Sequence, residues 1–399
     1  MRHKKRLVIV SSNLATGGIQ KALVNLLNEI ADKYDVTVFI YSYSGQYLLE
    51  LPKQIKIIKA NPYMKLLGIS QAEAKKEGIF FYFLRALLVL WTKIFTNALP
   101  ISLLLSTEGR LQGYDIAISY VQSPHDKSFY GGCNEFVLKK IDAKKKFAYI
   151  HCDYLHYGGN TLRNKKMYKQ FDRIITVSEG CKKHFLQAIP SLSSKTYSVK
   201  NCTDFLDIQK KAEHTPFLYD SEKFSIVTVA RLSEEKGIIR TIEVIYELVK
   251  KGYNISWHLI GEGSLRREIE QLVSSKSLKG HITLYGEQEN PYKYMKNADL
   301  FLLPSYHEAA PMVLEEAKCI GLPILTTNTT SANEMVEQCG AGWVCQNSAI
   351  GIRETLEYIL NNREELLQIS GKLKKQQFPQ NTGVDQLEAV IDGACGYGQ

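Results

Sequence analysis

Short β-branched runs alternate with stretches of helical periodicity from one end of the chain to the other, the pattern of parallel sheets built from βαβ units. Strands are predicted at residues 6–10, 36–41, 116–120, 146–151 and 173–177, and again at 225–229, 256–260, 281–285, 300–303 and 324–326. Two groups of five imply an α/β protein of two doubly wound, Rossmann-like domains. Between them KNCTDFLDIQKKAEHTPFLYDSEK, residues 200–223, shows little periodicity and one proline. The expected division is a first domain over 1–205, a linker over 206–222 and a second domain over 223–375, with a helix at about 376–399 packing back on the first. Ligands of open α/β sheets bind beyond the carboxyl ends of the strands, so the site is expected in a cleft between the domains.

A length of 399 residues suits two domains, and 45% hydrophobic with 23% charged residues is a globular composition. MRHKKRLVIVSSN has a basic start, but its apolar run, residues 7–10, falls short of a signal peptide. The longest apolar stretch, residues 79–91, is interrupted by Arg85 and is too short for a span of about 20 residues. Eight cysteines without a CxxC pair argue for reduced thiols in a cytoplasmic protein, not for a disulfide framework or a zinc site. The net charge of +9 is unevenly spread: residues 1–200 hold 30 Lys and Arg against 14 Asp and Glu, the remainder 20 against 27. The basic half calls for an anionic partner or surface.

Four stretches carry candidate chemistry. In HEAAPMVLEEAKCIGLPILT, residues 307–326, Glu308 falls in the loop beyond a strand, Pro311 at the first helical position and Glu316 in the second turn. Acids there either complement the macrodipole or hold hydroxyl groups of a ligand whose phosphate sits on the helix amides. FSIVTVARLSEEKGI places Arg231 and Lys236 beyond a strand end, where they either neutralise a diphosphate or are solvated loop cations. SSNLATGGIQKALVNLL offers Gly17 and Gly18 for close backbone approach. HLIGEGSLRREIE, with Gly261, lacks the third glycine of the dinucleotide fingerprint, so a dehydrogenase is a poor fit. No Asp-x-Asp of the kind that would hold a metal lies beyond a strand, and a metal-independent site is expected.

With these motifs in this order, the chain resembles the retaining glycosyltransferases of the GT-B fold, in the large family four (group 1) that includes many bacterial polysaccharide glycosyltransferases. The likeness runs through GGIQKALVNLL, FDRIITVSEGCKKHF, VKNCTD, VARLSEEKG, LIGEGS and PSYHEAAPMVLEEAKCIGLPILTTN. The last is the family's pair of glutamates separated by seven residues, met by Glu308 and Glu316 but not by Glu315, which reads as a solvated helix acid. The resemblance implies that Glu308 contacts the donor sugar near the reacting centre and Glu316 the ribose. It also implies that Arg231 and Lys236 hold the diphosphate, and that Gly261 with the Ala310, Pro311, Met312 and Val313 backbone lines the donor site. Gly17 and Gly18 would close on the donor phosphates, and His151, ending FAYIHCDY, matches a position where such enzymes often place a histidine. Two departures stand out: Ala309 follows Glu308 where glycine is common, and NTTSANE, ending in Glu334, replaces a Gly-Gly pair.

The implied reaction moves a sugar from a nucleotide-sugar, UDP-linked by expectation, to a glycan or lipid-diphosphate-linked acceptor in capsule or exopolysaccharide synthesis. No cofactor and no metal are expected. A lipid-linked acceptor gives the basic first domain a reason, as peripheral contact with the anionic inner face of a membrane. Residues 79–95 fit either an interfacial amphipathic helix or a core helix. Nucleic acid is not expected, for want of a recognisable binding motif. The competing functions are an inactive partner subunit of a glycosyltransferase complex and a nucleotide-sugar epimerase.

Overall fold

The structure is a computed structural model describing residues 4–15, 17–379 and 382–393. One sheet holds β1 (Arg6–Ser11), β2 (Asp35–Ile40), β3 (Lys56–Lys59), β4 (Leu111–Ser119), β5 (Ile141–Ile150), β6 (Arg173–Thr176) and β7 (Thr196–Ser198), in the order β3-β2-β1-β4-β5-β6-β7. The other holds β8 (Phe224–Val229), β9 (Ile255–Ile260), β10 (Ile282–Gly286), β11 (Leu300–Leu303), β12 (Ile324–Thr327) and β13 (Gly342–Cys345), in the order β10-β9-β8-β11-β12-β13. All pairings are parallel. Both units are therefore doubly wound α/β sheets, as the alternation predicts. Their strand order reverses between β1 and β4 and between β8 and β11, which is where such sheets open to ligands.

The ten expected strands are all present. The three that the pattern misses, β3, β7 and β13, are sheet edges and largely half-exposed, so they lack the continuous apolar run that marks a central strand.

The first unit runs to Cys202 and takes back the helix Thr382–Asp392; the second spans the residues between. In the first, Phe39 stacks on Phe136 at 4.3 Å, and the helix Gly18–Ile30 buries Leu23, Leu26, Leu27 and Ile30. Thr382–Asp392 reaches the same unit through Lys33 to Glu388 at 3.1 Å and Lys5 to Asp392. Its Gly383 lies so near the Lys200 carbonyl that a Cβ would approach the oxygen to 2.5 Å. The expected helix over 376–399 is shorter than that: 376–379 are not helical, and 394–399, with Cys395, lie outside the described residues. In the second unit Trp257 is fully buried and donates from Nε1 to Thr228 Oγ1 at 2.9 Å.

Two local expectations change. The stretch read as a linker, 206–222, begins instead with most of the helix Phe205–Glu213, capped by Asp204, whose side chain accepts from Asp207 N. It belongs to the second unit, where Asn290 Nδ2 donates to Lys211 O at 2.8 Å. Only Ile208 and Ala212 are buried along it, two positions four apart, too few to register as periodicity.

The helix Ile79–Ile94 packs on the core along one face and is exposed along the other. Leu88 and Thr92 are buried and Phe81, Leu84 and Val89 pack on the core, while Ile79, Phe80, Phe83, Leu87, Leu90 and Ile94 face outward, each more than half exposed. No described helix is long and apolar enough to cross a membrane. The described cysteines are free thiols, all buried except Cys339.

Candidate active site

The second sheet's switch point brings the expected charges together. β8 and β11 are parallel neighbours, with Phe301 beside Val227, and Thr228 Oγ1 donates to Leu302 O across them. Their loops leave the sheet side by side. Lys236 Nζ lies 2.6 Å from Glu308 Oε1, and Ser305 Oγ donates to the same oxygen at 2.7 Å. Both side chains of this pair are largely withdrawn from solvent, 17% and 11% exposed. Arg231, by contrast, is an exposed loop cation 3.1 Å from Glu235.

Backbone geometry explains why the two loops can meet. Gly237 follows Lys236 with φ 65°, and a Cβ there would come within 2.1 Å of Pro304 O. Only glycine combines that left-handed conformation with that approach. Arg240 fastens the β11 loop from below: Nη2 donates to Pro304 O and Asn347 Oδ1, both at 2.7 Å, and the guanidinium lies 3.8 Å from the Tyr306 ring centre. Asn347 Nδ2 donates in turn to Tyr306 O at 2.9 Å. Such a planar, multiply bonded cation positions the loop, which a lysine would not replace.

Gly261 plays a related part. At φ 140° its Cβ would sit 2.0 Å from Ala230 O, and one on Gly263 would sit 2.2 Å from Leu232 O. The loop after β9 is therefore laid directly on the backbone that carries Arg231, held by Leu232 N to Glu262 O and Leu265 N to Leu232 O.

The helix Met312–Ile320 starts one residue later than expected. Pro311 is its N-cap, not its first helical residue: ψ of 118° keeps it extended, and its carbonyl accepts from Leu314 N at 3.1 Å. Proline brings no side-chain oxygen, so no side chain caps the amides of the first turn, which is the condition for an anion to sit at a helix start. Ala310, Met312 and Val313 lie along this entry, and Glu316 follows half-buried in the second turn. Glu315 is not a solvated acid. It pairs at 2.7 Å with Lys318, itself buried, and so neutralises a charge that burial would otherwise penalise. Glu334 lies on a single wide turn, Asn333–Glu337.

In the first unit, Gly17 caps the helix Gly18–Ile30 in an extended conformation that any residue could adopt, and space is open around a Cβ on Gly18. The fold demands neither glycine. His151 follows β5 and is buried, its ring against those of Tyr120 and Tyr149 at 4.6 and 5.3 Å, its Nε2 without a partner. Burial pushes its pKa down to about 3. The shift favours the neutral imidazole near pH 7.

Sequence reasoning found Lys236, Glu308, Arg231 and Gly261 and missed Gly237, Arg240, Ser305 and Asn347. For Gly237 a signal existed, a glycine between a lysine and an apolar helix start. The partners of Arg240 are carbonyls and an amide more than sixty positions away, and no local pattern announces them.

Residues 209–376 match the family model described as glycosyl transferases group 1. An uncharacterized glycosyltransferase of Methanocaldococcus jannaschii is 28% identical over 173 residues, 42% of each chain. The amylovoran biosynthesis glycosyltransferase AmsK of Erwinia amylovora is 32% identical over 127 residues, 30% of this chain and 31% of that one. The matches thus span less than half the length of these curated relatives. Among solved structures, Anabaena Alr3699/HepE in complex with UDP and glucose superposes with a TM-score of 0.69 at 16% identity, over 98% of this chain and 100% of that. The lipopolysaccharide outer core galactosyltransferase WaaB in its apo form gives 0.64 at 16% over 98% and 99%. At such identities the likeness shows the fold, that of the GT-B glycosyltransferases.

Proposed function

We propose, from the match of residues 209–376 to the model of the group 1 glycosyl transferases, that the chain moves a sugar from a nucleotide-sugar to a glycan or lipid-linked acceptor in cell-surface polysaccharide synthesis. The observation that carries this is the Lys236–Glu308 contact at the β8/β11 switch point. It sets a cation and a carboxylate 2.6 Å apart, beside a helix start without a side-chain cap. A sugar diphosphate asks for these groups: cations and amides for the phosphates, a carboxylate for the sugar.

In the proposed mechanism the diphosphate departs from the anomeric carbon through an oxocarbenium-like state, and negative charge grows on its oxygens. Lys236 exchanges part of its contact with Glu308 for the phosphate, Arg231 swings from Glu235, and the first amides of Met312–Ile320 complete the cradle. Glu308, released in part from Lys236, accepts from the sugar hydroxyls, and Glu316 accepts from the ribose. The acceptor attacks on the face the diphosphate leaves, with the leaving phosphate taking its proton, so configuration is retained and no metal is required. A trapped glycosyl-enzyme adduct would sink the front-face step. UDP is the donor nucleotide we favour, because structural neighbours were solved with UDP and with UDP-glucose.

The test is thermal stabilisation across UDP-, GDP-, ADP- and dTDP-sugars with EDTA present. Wild type is expected to shift with one nucleotide, UDP, and Arg231→Ala to lose the shift. A folded protein that shifts with none would favour the inactive-subunit alternative.

For the acceptor side we propose that the outward face of Ile79–Ile94 lies on an anionic membrane surface. Six apolar side chains face outward there, each more than half exposed, Lys93 stands in its last turn, and residues 1–200 carry the excess of positive charge. In flotation assays the protein is expected to rise with vesicles containing phosphatidylglycerol. The Phe83→Asp/Leu87→Asp variant should stay in solution with an unchanged melting temperature. Equal recovery of both proteins, or none with vesicles at low salt, would refute the membrane contact.

A further inference from the structure

Beyond β5 the first unit gathers a donor set that the transfer reaction does not use. Asp153 lies in the turn after the strand with its carboxylate only 11% exposed. Its Oδ2 is 2.8 Å from His156 Nδ1 and its Oδ1 2.9 Å from His184 Nδ1. His156 stands on the same turn, while His184 comes from the helix Glu179–Ala188. One donor atom from each residue lies within 4.8 Å of the other two.

We propose that Asp153, His156 and His184 bind a first-row divalent cation, and that zinc suits them best. An ion about 2.0–2.2 Å from each donor holds its ligands roughly 3.3 Å apart. The two Asp153 contacts are a few tenths of an ångström shorter and the two imidazole donors lie within 4.8 Å of each other, so the three side chains need only adjust their positions around an ion. Two imidazoles with one carboxylate favour zinc and its neighbours over magnesium or calcium, which prefer oxygen.

The set is also held in place. Leu155 N donates to Asp153 Oδ1 at 3.1 Å, and His156 N and Tyr157 N donate to Asp153 O at 3.1 and 2.9 Å. Tyr154, next to Asp153, packs edge-on against Phe185, next to His184, with ring centres 5.0 Å apart, and against Tyr168 at 5.7 Å. Hydrophobic packing therefore pins the turn to the helix one residue away from the ligands on either side, the kind of outer support that fixes a metal site. Cys152 is not part of the set: the donor atoms that lie within 4.8 Å of one another are those of Asp153, His156 and His184. His156 is more than half exposed, so the ion keeps an open side for water or an oxygen ligand. Three protein ligands with open coordination mark an exchangeable site, unlike the closed four-ligand type.

This inference stands apart from the proposed transfer, because all three ligands belong to the first unit and donor stabilisation is measured with EDTA present. The full chain, stripped with EDTA and dialysed, is titrated with zinc against a chromophoric chelator. A single equivalent should bind, and His156→Ala and His184→Ala should each weaken it by at least about tenfold. Zinc should raise the melting temperature of wild type but not of the His156→Ala/His184→Ala double variant. His156 is exposed enough for its single variant to fold, which keeps the comparison valid if the double variant does not. Absence of uptake by wild type, or uptake unchanged in His156→Ala, would overturn the site and leave Asp153 as a hydrogen-bond acceptor for two imidazoles.

Discussion

Lys236→Ala is expected to lower kcat by about 10²- to 10³-fold, the usual cost of removing one preorganised group that stabilises developing charge. The same change leaves Glu308 withdrawn from water without its cation. Breaking a buried pair from one side costs about 3–5 kcal/mol, and the 11% exposure of Glu308 places it near that regime. Two readouts therefore separate two roles. Lys236→Ala should lose activity and melt earlier, whereas the Lys236→Met/Glu308→Gln pair should recover much of the stability and none of the turnover. Full turnover in Lys236→Ala would remove the lysine from the mechanism; an unchanged melting temperature would mean that water reaches Glu308 freely.

Gly261→Ala is expected to destabilise the second unit by about 3 kcal/mol. A methyl group at φ 140° is strained, a cost of about 1–3 kcal/mol for such conformations, and it would meet Ala230 O at 2.0 Å, so the two loops must separate as well. For a unit of this size that is a fall in melting temperature of roughly 6–12 °C. Because the displaced segment carries Arg231, KM for the donor should rise even in the protein that remains folded. A variant with wild-type melting and wild-type KM would contradict the contact.

How far this was legible in the sequence depends on the range of each interaction. Central strands were legible because burial on both faces writes a continuous apolar run into the chain; of the four edge strands only β10 was legible, and β3, β7 and β13 were not, because half-exposure leaves no such run. Lys236 and Glu308 stood out one at a time, each beyond a strand end. That they touch follows only from the parallel pairing of β8 with β11, since 72 residues separate them. Arg240 answers to backbone carbonyls, which every residue type possesses, so nothing in the composition of 304–306 points back to it. The cysteine spacing spoke against zinc, and nothing in the spacing of Asp153, His156 and His184 spoke for it. Their convergence depends on where the helix Glu179–Ala188 lies against the turn after β5.

The return of Thr382–Asp392 to the first unit has a consequence for synthesis. The second unit is one uninterrupted stretch and can complete its core as soon as its own residues have emerged, since domains generally fold as units during translation. The first unit begins earlier and finishes later. Until residues 382–392 exist, the partners of Lys33 and Lys200 are missing and the surface they cover stays bare. The nascent chain thus carries an unfinished unit ahead of a finished one, and it is this waiting first unit that a chaperone would have most reason to hold.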